Sequence, residues 1–126
     1  MLLHRSQKEI ENSYINKREV WDLAGGGLRF FESSPKGLLR EIKEETDLDV
    51  SIIEPFTVYD VIKPNIHMTI ITYLCTCDTY DVKLSEEHDA FYWLTLDELM
   101  EKDIPKWLKK EFEIAFEKMR DNEDKA

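Results

Sequence analysis

Residues 26–48 of the chain read GGLRFFESSPKGLLREIKEETDL. Ser34 followed by Pro35 predicts the start of a helix, because serine is a preferred N-cap and proline fits the first helical position. Its predicted buried stripe, at helical spacing, consists of Leu38, Leu39, Ile42 and Thr46. The run of glycines from 25 to 27 predicts a turn or a close backbone approach before this helix.

Three glutamates of the predicted helix, Glu41, Glu44 and Glu45, follow i,i+3 and i,i+4 spacing. Their carboxylates are expected on one side, where each like-charge pair costs an isolated helix about 0.2–0.5 kcal/mol. Glu44 and Glu45 also lie in the final turn, where the helix dipole favours cations. Hard divalent cations take oxygen ligands and would offset both penalties, so the pattern indicates a metal site. A solvated acidic helix face is the alternative.

This stretch resembles the Nudix box, G-x5-E-x7-R-E-U-x-E-E-x-G-U. It matches at Gly26, Glu32, Arg40-Glu41-Ile42, Glu44-Glu45 and Leu48, with Asp47 in place of the later glycine. WDLAGGGL, residues 21–28, is similar to the family's W-x-L-P-G-G segment, and residues 83–99 resemble its late acidic loop, tryptophan strand and helix. The resemblance covers nearly the whole chain. It implies an α/β/α Nudix sandwich with a mixed β-sheet.

The resemblance also implies a chemistry. Nudix hydrolases bind Mg²⁺ or Mn²⁺ on the box, and the metal polarises a diphosphate and activates the water that attacks phosphorus. By position, Glu41 and Glu45 are implied metal ligands, while Glu44 is a ligand or the base that deprotonates the water. Glu41 and Glu44 are thus the candidate catalytic residues. The Gly25 carbonyl is a further candidate ligand, and Gly26 is a candidate substrate contact.

Other residues have implied supporting or binding roles. An ion pair between Arg40 and Glu32 can brace the loop against the helix, although an ordinary surface pair is the alternative. Glu86 or Glu87 is the candidate for a later metal ligand, with Glu87 preferred. Arg5 resembles a basic residue that contacts substrate phosphate, and a solvated arginine is the alternative.

Several positions depart from the family pattern. Asp47 stands where a left-handed backbone is expected, at a cost on the order of 1 kcal/mol. Ala24 replaces the usual proline, and Arg29 and Phe31 replace an acidic residue and a glycine. We expect a loop that holds metal less well and a reshaped substrate mouth, with packing as the alternative role of Phe30 and Phe31.

The chain begins without the strand that the family has before the segment Met1 to Arg5. An empty sheet position leaves an exposed strand edge, and such edges recruit partners. An altered sheet, strand exchange or a homodimer is therefore expected.

The remaining sequence predicts alternating elements. Strands are expected at Leu2–Leu3, Val20–Leu23, Val50–Ile53, Thr57–Ile62, His67–Cys77, Val82–Leu84 and Phe91–Leu94. A polar loop is expected from Ser6 to Arg18, a capped helix after Thr95, and a last helix from Pro105. One domain, residues 1–120, is expected to end in a frayed polar tail at 121–126.

Composition limits the other function classes. The chain has 126 residues, 42% of them hydrophobic, which suits one compact domain and leaves no room for a second. Its 17 basic and 27 acidic residues give a formal charge of -10, so a nucleic acid polymer is not an expected partner. A phosphate ligand therefore needs a local positive charge, such as that of bound metal ions.

The cysteines and the hydropathy of the sequence indicate the cellular compartment. Cys75 and Cys77 form no disulfide framework and are expected to pack in a strand as reduced thiols. The sequence has no stretch of the roughly 18 apolar residues that a membrane span needs. A soluble, cytoplasmic protein without a membrane partner is expected. His4, His67 and His88 show no ligand spacing, so no catalytic role is expected for them.

The resemblance implies a small-molecule, nucleotide-type substrate. The expected reaction is hydrolysis of the diphosphate linkage of a nucleoside diphosphate derivative or a nucleoside triphosphate, and side chains outside the box decide which. The main alternative is a catalytically impaired Nudix-fold module that binds nucleotide or protein. A purely structural acidic adaptor is the third reading, and it predicts no thermal shift with metal.

Overall fold

A computed structural model of the chain describes residues 1–13 and 18–125. Their elements, in chain order, are β1 (Leu2–Arg5), α1 (Gln7–Asn12), β2 (Trp21–Asp22), α2 (Ser34–Thr46), β3 (Val50–Lys63), β4 (Ile66–Cys77), β5 (His88–Tyr92), α3 (Leu96–Glu101) and α4 (Lys106–Lys125). The chain divides into two compact units, one formed by the described parts of Met1–Ile52 and Cys75–Trp93, the other by those of Ile53–Leu74 and Leu94–Ala126.

The first unit contains a three-stranded sheet in the order β2-β1-β5. Both pairings of β1 are antiparallel, with Leu3 opposite Asp22 on one side and Arg5 opposite His88 on the other. Leu2 and Leu3 are both fully buried, which is typical of a central strand that is covered on both faces. The sheet thus brings Asp22 and His88 onto the two strands that flank β1.

Helix α2 carries the box and is the longest element of the first unit. Its N-cap is Ser33, whose hydroxyl accepts from the Lys36 amide at 3.4 Å, so the prediction of Ser34 is wrong by one residue. The buried residues of the helix are Gly37, Ile42, Glu45 and Thr46. The prediction that Leu39 belongs to the buried stripe is wrong, because its side chain is exposed. The carboxylate of Glu45 occupies a buried position instead.

The end of α2 is held by backbone contacts. Asp47 adopts φ 61° and ψ 16°, which confirms the predicted left-handed conformation, and its N–H donates to the Lys43 carbonyl at 3.0 Å. The amides of Lys83 and Ser85 donate to the carbonyls of Thr46 and Glu45, each at 3.0 Å. The predicted strand Val82–Leu84 is therefore wrong: this segment bonds to the helix end rather than to a strand.

A short helix replaces part of the predicted polar loop. Ser6 caps α1 by accepting from the Glu9 amide at 3.2 Å, so the loop expected from Ser6 to Arg18 is wrong over Gln7–Asn12. Its part at residues 14–17 lies outside the described residues. No helix within the described ranges is both long and apolar enough to span a bilayer.

The strands predicted separately around Pro55 are one strand, β3, most of which belongs to the second unit. It pairs with β4 alone among the described residues, after a turn at Pro64–Asn65. Because one edge of β3 is thus unpaired in that part of the chain, the strand accommodates Pro55 without the loss of a hydrogen bond between strands. The Thr57 hydroxyl donates to both carboxylate oxygens of Glu111 on α4, at 3.0 and 2.8 Å. A polar contact therefore ties β3 to the last helix.

The two C-terminal helices pack together over Leu99, Leu108 and Phe112, which are buried. The predicted capping box is confirmed: Thr95 accepts from the Glu98 amide, and the Glu98 carboxylate accepts from the Thr95 amide. Helix α4 continues to Lys125. The prediction of a frayed tail is therefore wrong for residues 121–125. Neither glycine nor proline interrupts the helix there.

Candidate active site

Glu45 is the one box glutamate that α2 buries within the first unit. It is 4% exposed, and its carboxylate accepts a 2.8 Å hydrogen bond from the Gly25 amide. Gly25 has φ 151°, a conformation that side chains disfavour, and this lets its amide face the helix. Burial raises the pKa of Glu45 to about 9, and the nearby Glu87 and Asp22 carboxylates add to the rise. A cation at this point would favour the charged form of the carboxylate.

Glu87 is the late carboxylate that reaches Glu45. Oxygen atoms of Glu45 and Glu87 and a ring nitrogen of His88 all lie within 4.8 Å of one another. Glu86 instead pairs with Lys8 at 3.1 Å. The bond from the Ser85 amide to the Glu45 carbonyl positions this segment beside α2. The structure thus brings together the predicted pair Glu45 and Glu87.

His88 is a member of the cluster that the sequence did not predict. Its side chain is 1% exposed, and its Nε2 lies 3.1 Å from Oδ2 of Asp22. Its Nδ1 is buried and has no hydrogen-bond partner in the described part of the chain. In the sequence, the feature that could have indicated this role is the position of His88 next to Glu87, because His88 has no ligand spacing to another histidine or cysteine. Three potential ligand side chains therefore meet beneath the glycine loop.

Arg40 connects the loop to the acidic helix. Its guanidinium donates to Glu32 (Nε to Oε2 at 2.7 Å, Nη2 to Oε1 at 2.9 Å), to the Gly27 carbonyl at 3.1 Å, to Glu41 at 2.9 Å and to Glu44 at 3.2 Å. These bonds to Arg40, with one from the Arg29 amide, lower the pKa of Glu32 to about 2. The same contacts raise the pKa of Arg40. Arg40 and Glu32 therefore form the predicted ion pair, and it braces the loop against the helix.

Glu41 and Glu44 lie with arginine rather than with Glu45. Glu44 is half-exposed and also accepts from Arg29 Nη2 at 3.3 Å. Within the described residues, the cluster of potential ligands contains Glu45 but neither Glu41 nor Glu44. Glu41 and Glu44 therefore lie outside that cluster, where arginine side chains neutralise their charge. Their roles as metal ligands stay predictions.

Glycines allow the close approach of loop and helix. A Cβ on Gly26 would lie 2.6 Å from Cδ of Glu41, and one on Gly37 would lie 2.9 Å from Oε1 of Glu32. At Gly27, by contrast, a Cβ would meet nothing within 4 Å. Gly26 and Gly37 thus hold the spaces that the Glu41 and Glu32 carboxylates occupy. The substrate contact at Gly26 and the metal-binding carbonyl of Gly25 stay predictions.

Arg5 is buried in the first unit. Its Nη1 donates to the Glu19 carbonyl at 2.7 Å, and its Nη2 lies 3.9 Å from Oε1 of Glu9. The alternative of a solvated arginine is therefore wrong. Its contact with substrate phosphate stays a prediction.

A cleft beside Glu87 is lined by Lys8, Glu9, Asn12, Glu86 and Glu87.

Phe30 and Phe31 form the tip of a tight turn before the helix. The Glu32 amide donates to the Arg29 carbonyl at 3.2 Å, and Phe31 has φ 63°, the combination that marks a type II turn. Both side chains are almost fully exposed. Packing is therefore not their role within the described structure. A bulky residue at positive φ is strained, as expected where the family has glycine.

The fold and the site define an α/β protein with antiparallel strand pairing and an acidic helix braced against a glycine loop. A family model described as the NUDIX domain matches residues 1–113, and the chain belongs to that family. It is a Nudix-type pyrophosphohydrolase. The predicted family and fold class are thus confirmed.

Individual relatives are similar over most of the chain. The nucleoside triphosphatase NudI of Escherichia coli strain UMN026 is 32% identical over 95 residues, 67% of each chain. The crystal structure of the MutT protein from Methanosarcina mazei Go1 has a TM-score of 0.73 at 28% identity and covers 99% of this chain and 84% of its own. A C. elegans Ap4A hydrolase binary complex, at 19% identity, shares the fold with a TM-score of 0.64, over 86% of this chain and 77% of its own.

Proposed function

We propose that the chain hydrolyses the diphosphate linkage of a nucleoside triphosphate or a nucleoside diphosphate derivative, using Mg²⁺ or Mn²⁺. The observation that carries this is the meeting of the Glu45 and Glu87 carboxylates beside the Gly25 amide. Relatives named as nucleoside triphosphatases favour triphosphates among these substrates. With a net charge of -10, the chain needs such a cation to accept a phosphate anion.

The donor set suits a divalent cation. Glu45 and Glu87 supply carboxylate oxygens, and the Gly25 carbonyl is within the same loop that contacts Glu45. Glu41, held over Gly26, is the third carboxylate proposed to bind metal. A bound Mg²⁺ or Mn²⁺ would polarise the phosphate and lower the pKa of a bound water.

Glu44 is the proposed base. Its half-exposed carboxylate is open to a water molecule, and Arg29 and Arg40 hold it in place. The water loses its proton to Glu44 as its oxygen bonds to phosphorus. The bond from phosphorus to the bridging oxygen then breaks, and each product leaves with a phosphate group. Arg40 and Glu32 act by positioning Glu41 and Glu44 rather than by touching substrate.

A substrate panel tests the proposal. The purified chain is incubated with nucleoside triphosphates and nucleoside diphosphate derivatives, with Mg²⁺ or with Mn²⁺, and the phosphate-bearing products are separated by chromatography. We expect metal-dependent cleavage that falls at least about a hundredfold in Glu45→Gln and Glu87→Gln. Glu86→Gln is the matched control and should retain activity, because Glu86 is exposed and pairs with Lys8.

The outcomes separate the alternatives. Absence of turnover with every substrate, together with retained nucleotide binding, would support a binding module instead. Cleavage that is equal in Glu86→Gln and Glu87→Gln would contradict the assignment of the later ligand. The homodimer and the cytoplasmic location stay proposals, and light scattering of the purified chain measures its oligomeric state.

A further inference from the structure

His88 is a buried side chain that the proposed hydrolysis does not use. It follows Glu87 at the start of β5, and one of its ring nitrogens lies in the cluster with the Glu45 and Glu87 oxygens. Buried polar atoms are normally hydrogen-bonded, and the few that are not need an explanation. The buried Nδ1 of His88 is such an atom.

The opposite side of the ring has a partner. Nε2 of His88 lies 3.1 Å from the Asp22 carboxylate on β2. A carboxylate at that distance accepts a hydrogen bond from Nε2–H, and the neutral ring then has its lone pair on Nδ1. Metal-binding histidines commonly donate their second ring N–H to a carboxylate in this way, which fixes the tautomer and the ring orientation. The pair thus has the arrangement of a metal ligand and its orienting group.

We infer that His88 binds the catalytic cation directly through Nδ1, together with Glu45 and Glu87, and that Asp22 is a positioning residue for the ring. This rests on the proposed function for the presence of a cation at Glu45 and Glu87. The three side chains come from α2, from the segment before β5 and from β5 itself. The backbone bond from the Ser85 amide to the Glu45 carbonyl keeps them in register.

A nitrogen ligand bears on the choice of metal. Mg²⁺ prefers oxygen ligands and gives up its water reluctantly, whereas imidazole suits first-row transition ions. A site in which an imidazole joins the proposed carboxylate ligands should therefore bind Mn²⁺ or Co²⁺ more tightly than Mg²⁺. The chain is accordingly expected to be an enzyme that prefers Mn²⁺ at this position.

Pulsed electron paramagnetic resonance on the Mn²⁺-loaded full chain tests the ligand. With ¹⁵N-labelled histidine, we expect a hyperfine coupling typical of a directly bound nitrogen. The coupling should vanish in His88→Ala and persist in His67→Ala. His67 is the matched control because it is an exposed histidine that also lies near an aspartate, Asp60 at 3.8 Å. A Mn²⁺-saturated wild-type chain without nitrogen coupling would overturn the inference.

Calorimetric titration supplies a second measurement. We expect His88→Ala to weaken Mn²⁺ binding roughly 10–100-fold and Mg²⁺ binding much less, and Asp22→Asn to weaken Mn²⁺ binding about tenfold. Equal weakening for both metals in His88→Ala would contradict a nitrogen ligand. If that variant does not fold, His88→Asn replaces it, and the wild-type spectrum decides by itself.

The two proposals fail separately. Magnesium-dependent turnover without nitrogen coupling would leave the proposed reaction intact and remove the histidine ligand. Nitrogen coupling without turnover of any nucleotide would leave the metal site intact and remove the proposed reaction.

Discussion

Nε and Nη2 of Arg40 donate to the two carboxylate oxygens of Glu32 at 2.7 and 2.9 Å, a bidentate pair between the box helix and the loop before it. Such planar pairs are more directional than single contacts. The same guanidinium also binds the Glu41 and Glu44 carboxylates. Loss of the pair would therefore affect both the stability of the loop and the position of two acidic side chains.

The pair predicts a pH dependence of stability. Hydrogen bonds from Arg40 lower the pKa of Glu32 from 4.5 to about 2. Because the folded-state pKa is the lower one, the stabilisation is complete above pH 4.5 and is lost as the pH falls towards 2. Glu32→Gln should lower the Tm at pH 7, and its melting curve should approach that of the wild type near pH 2. Melting curves recorded by circular dichroism from pH 7 to pH 2 measure this, and a difference that grows on acidification would contradict it.

The two glycines of the loop should differ in their tolerance of a methyl group. Gly26→Ala places a Cβ 2.6 Å from Cδ of Glu41, whereas Gly27→Ala meets nothing within 4 Å. Displacing the carboxylate by about 1 Å should lower kcat/KM by roughly a hundredfold. Gly27→Ala should keep nearly wild-type kcat/KM. Steady-state kinetics on the two variants decide this, and equal losses would show that Glu41 is not constrained by Gly26.

Phe31 should be replaceable by glycine with a gain in stability. Its φ of 63° is strained for a phenylalanine, and its ring is almost fully exposed, so little packing is lost. We expect Phe31→Gly to raise the free energy of unfolding by about 1 kcal/mol. Phe30→Gly is the matched control and should not stabilise, because Phe30 has no positive φ. Urea denaturation measures both, and stabilisation by Phe30→Gly alone would contradict the prediction.

Asp47 is the second residue with a left-handed backbone, at φ 61°. Asp47→Gly should stabilise the chain by about 0.5–1 kcal/mol, since glycine adopts this conformation without strain. The lost contact of Asp47 with Lys43, at 3.3 Å, is exposed and offsets only a few tenths of that gain. Asp47→Val should destabilise instead. Chemical denaturation of both variants gives the two signs, and stabilisation by valine would show that the backbone is not strained.

Metal binding should stabilise the fold through the buried Glu45 carboxylate and the exposed Glu87 carboxylate beside it. At a metal concentration of about 100 times Kd, the free energy of unfolding should rise by roughly 2.7 kcal/mol. Glu45→Gln and Glu87→Gln should abolish the Tm increase with Mn²⁺, whereas Glu86→Gln should retain it. Addition of EDTA should reverse the increase in the wild type. A Tm increase that survives in Glu45→Gln would place the metal elsewhere.

The sequence predicted those features that local spacing determines. The box helix, the capping box at Thr95 and the left-handed Asp47 all depend on residues within a few positions of one another. The pair of Arg40 and Glu32 was also predictable, because both residues lie in the box motif. The errors at Ser34 and at residues 121–125 concern helix ends, where neighbouring serines or polar residues give nearly equal local energies.

Contacts between distant segments were not predictable in the same way. The sequence indicated a crowded row of glutamates, but it did not show that Arg29 and Arg40 would neutralise Glu41 and Glu44. Nor did it reveal His88, whose place in the cluster depends on the antiparallel pairing of β1 with both β2 and β5. These features arise from tertiary packing, which single-sequence periodicity does not encode.

The amides of Lys83 and Ser85, bonded to the last carbonyls of the box helix, anchor the chain just before Glu87. Insertions or deletions at residues 78–82, upstream of the anchor, should therefore leave Glu87, the proposed later metal ligand, in its place. Engineering of this enzyme can vary that loop in length before any residue of the box is changed.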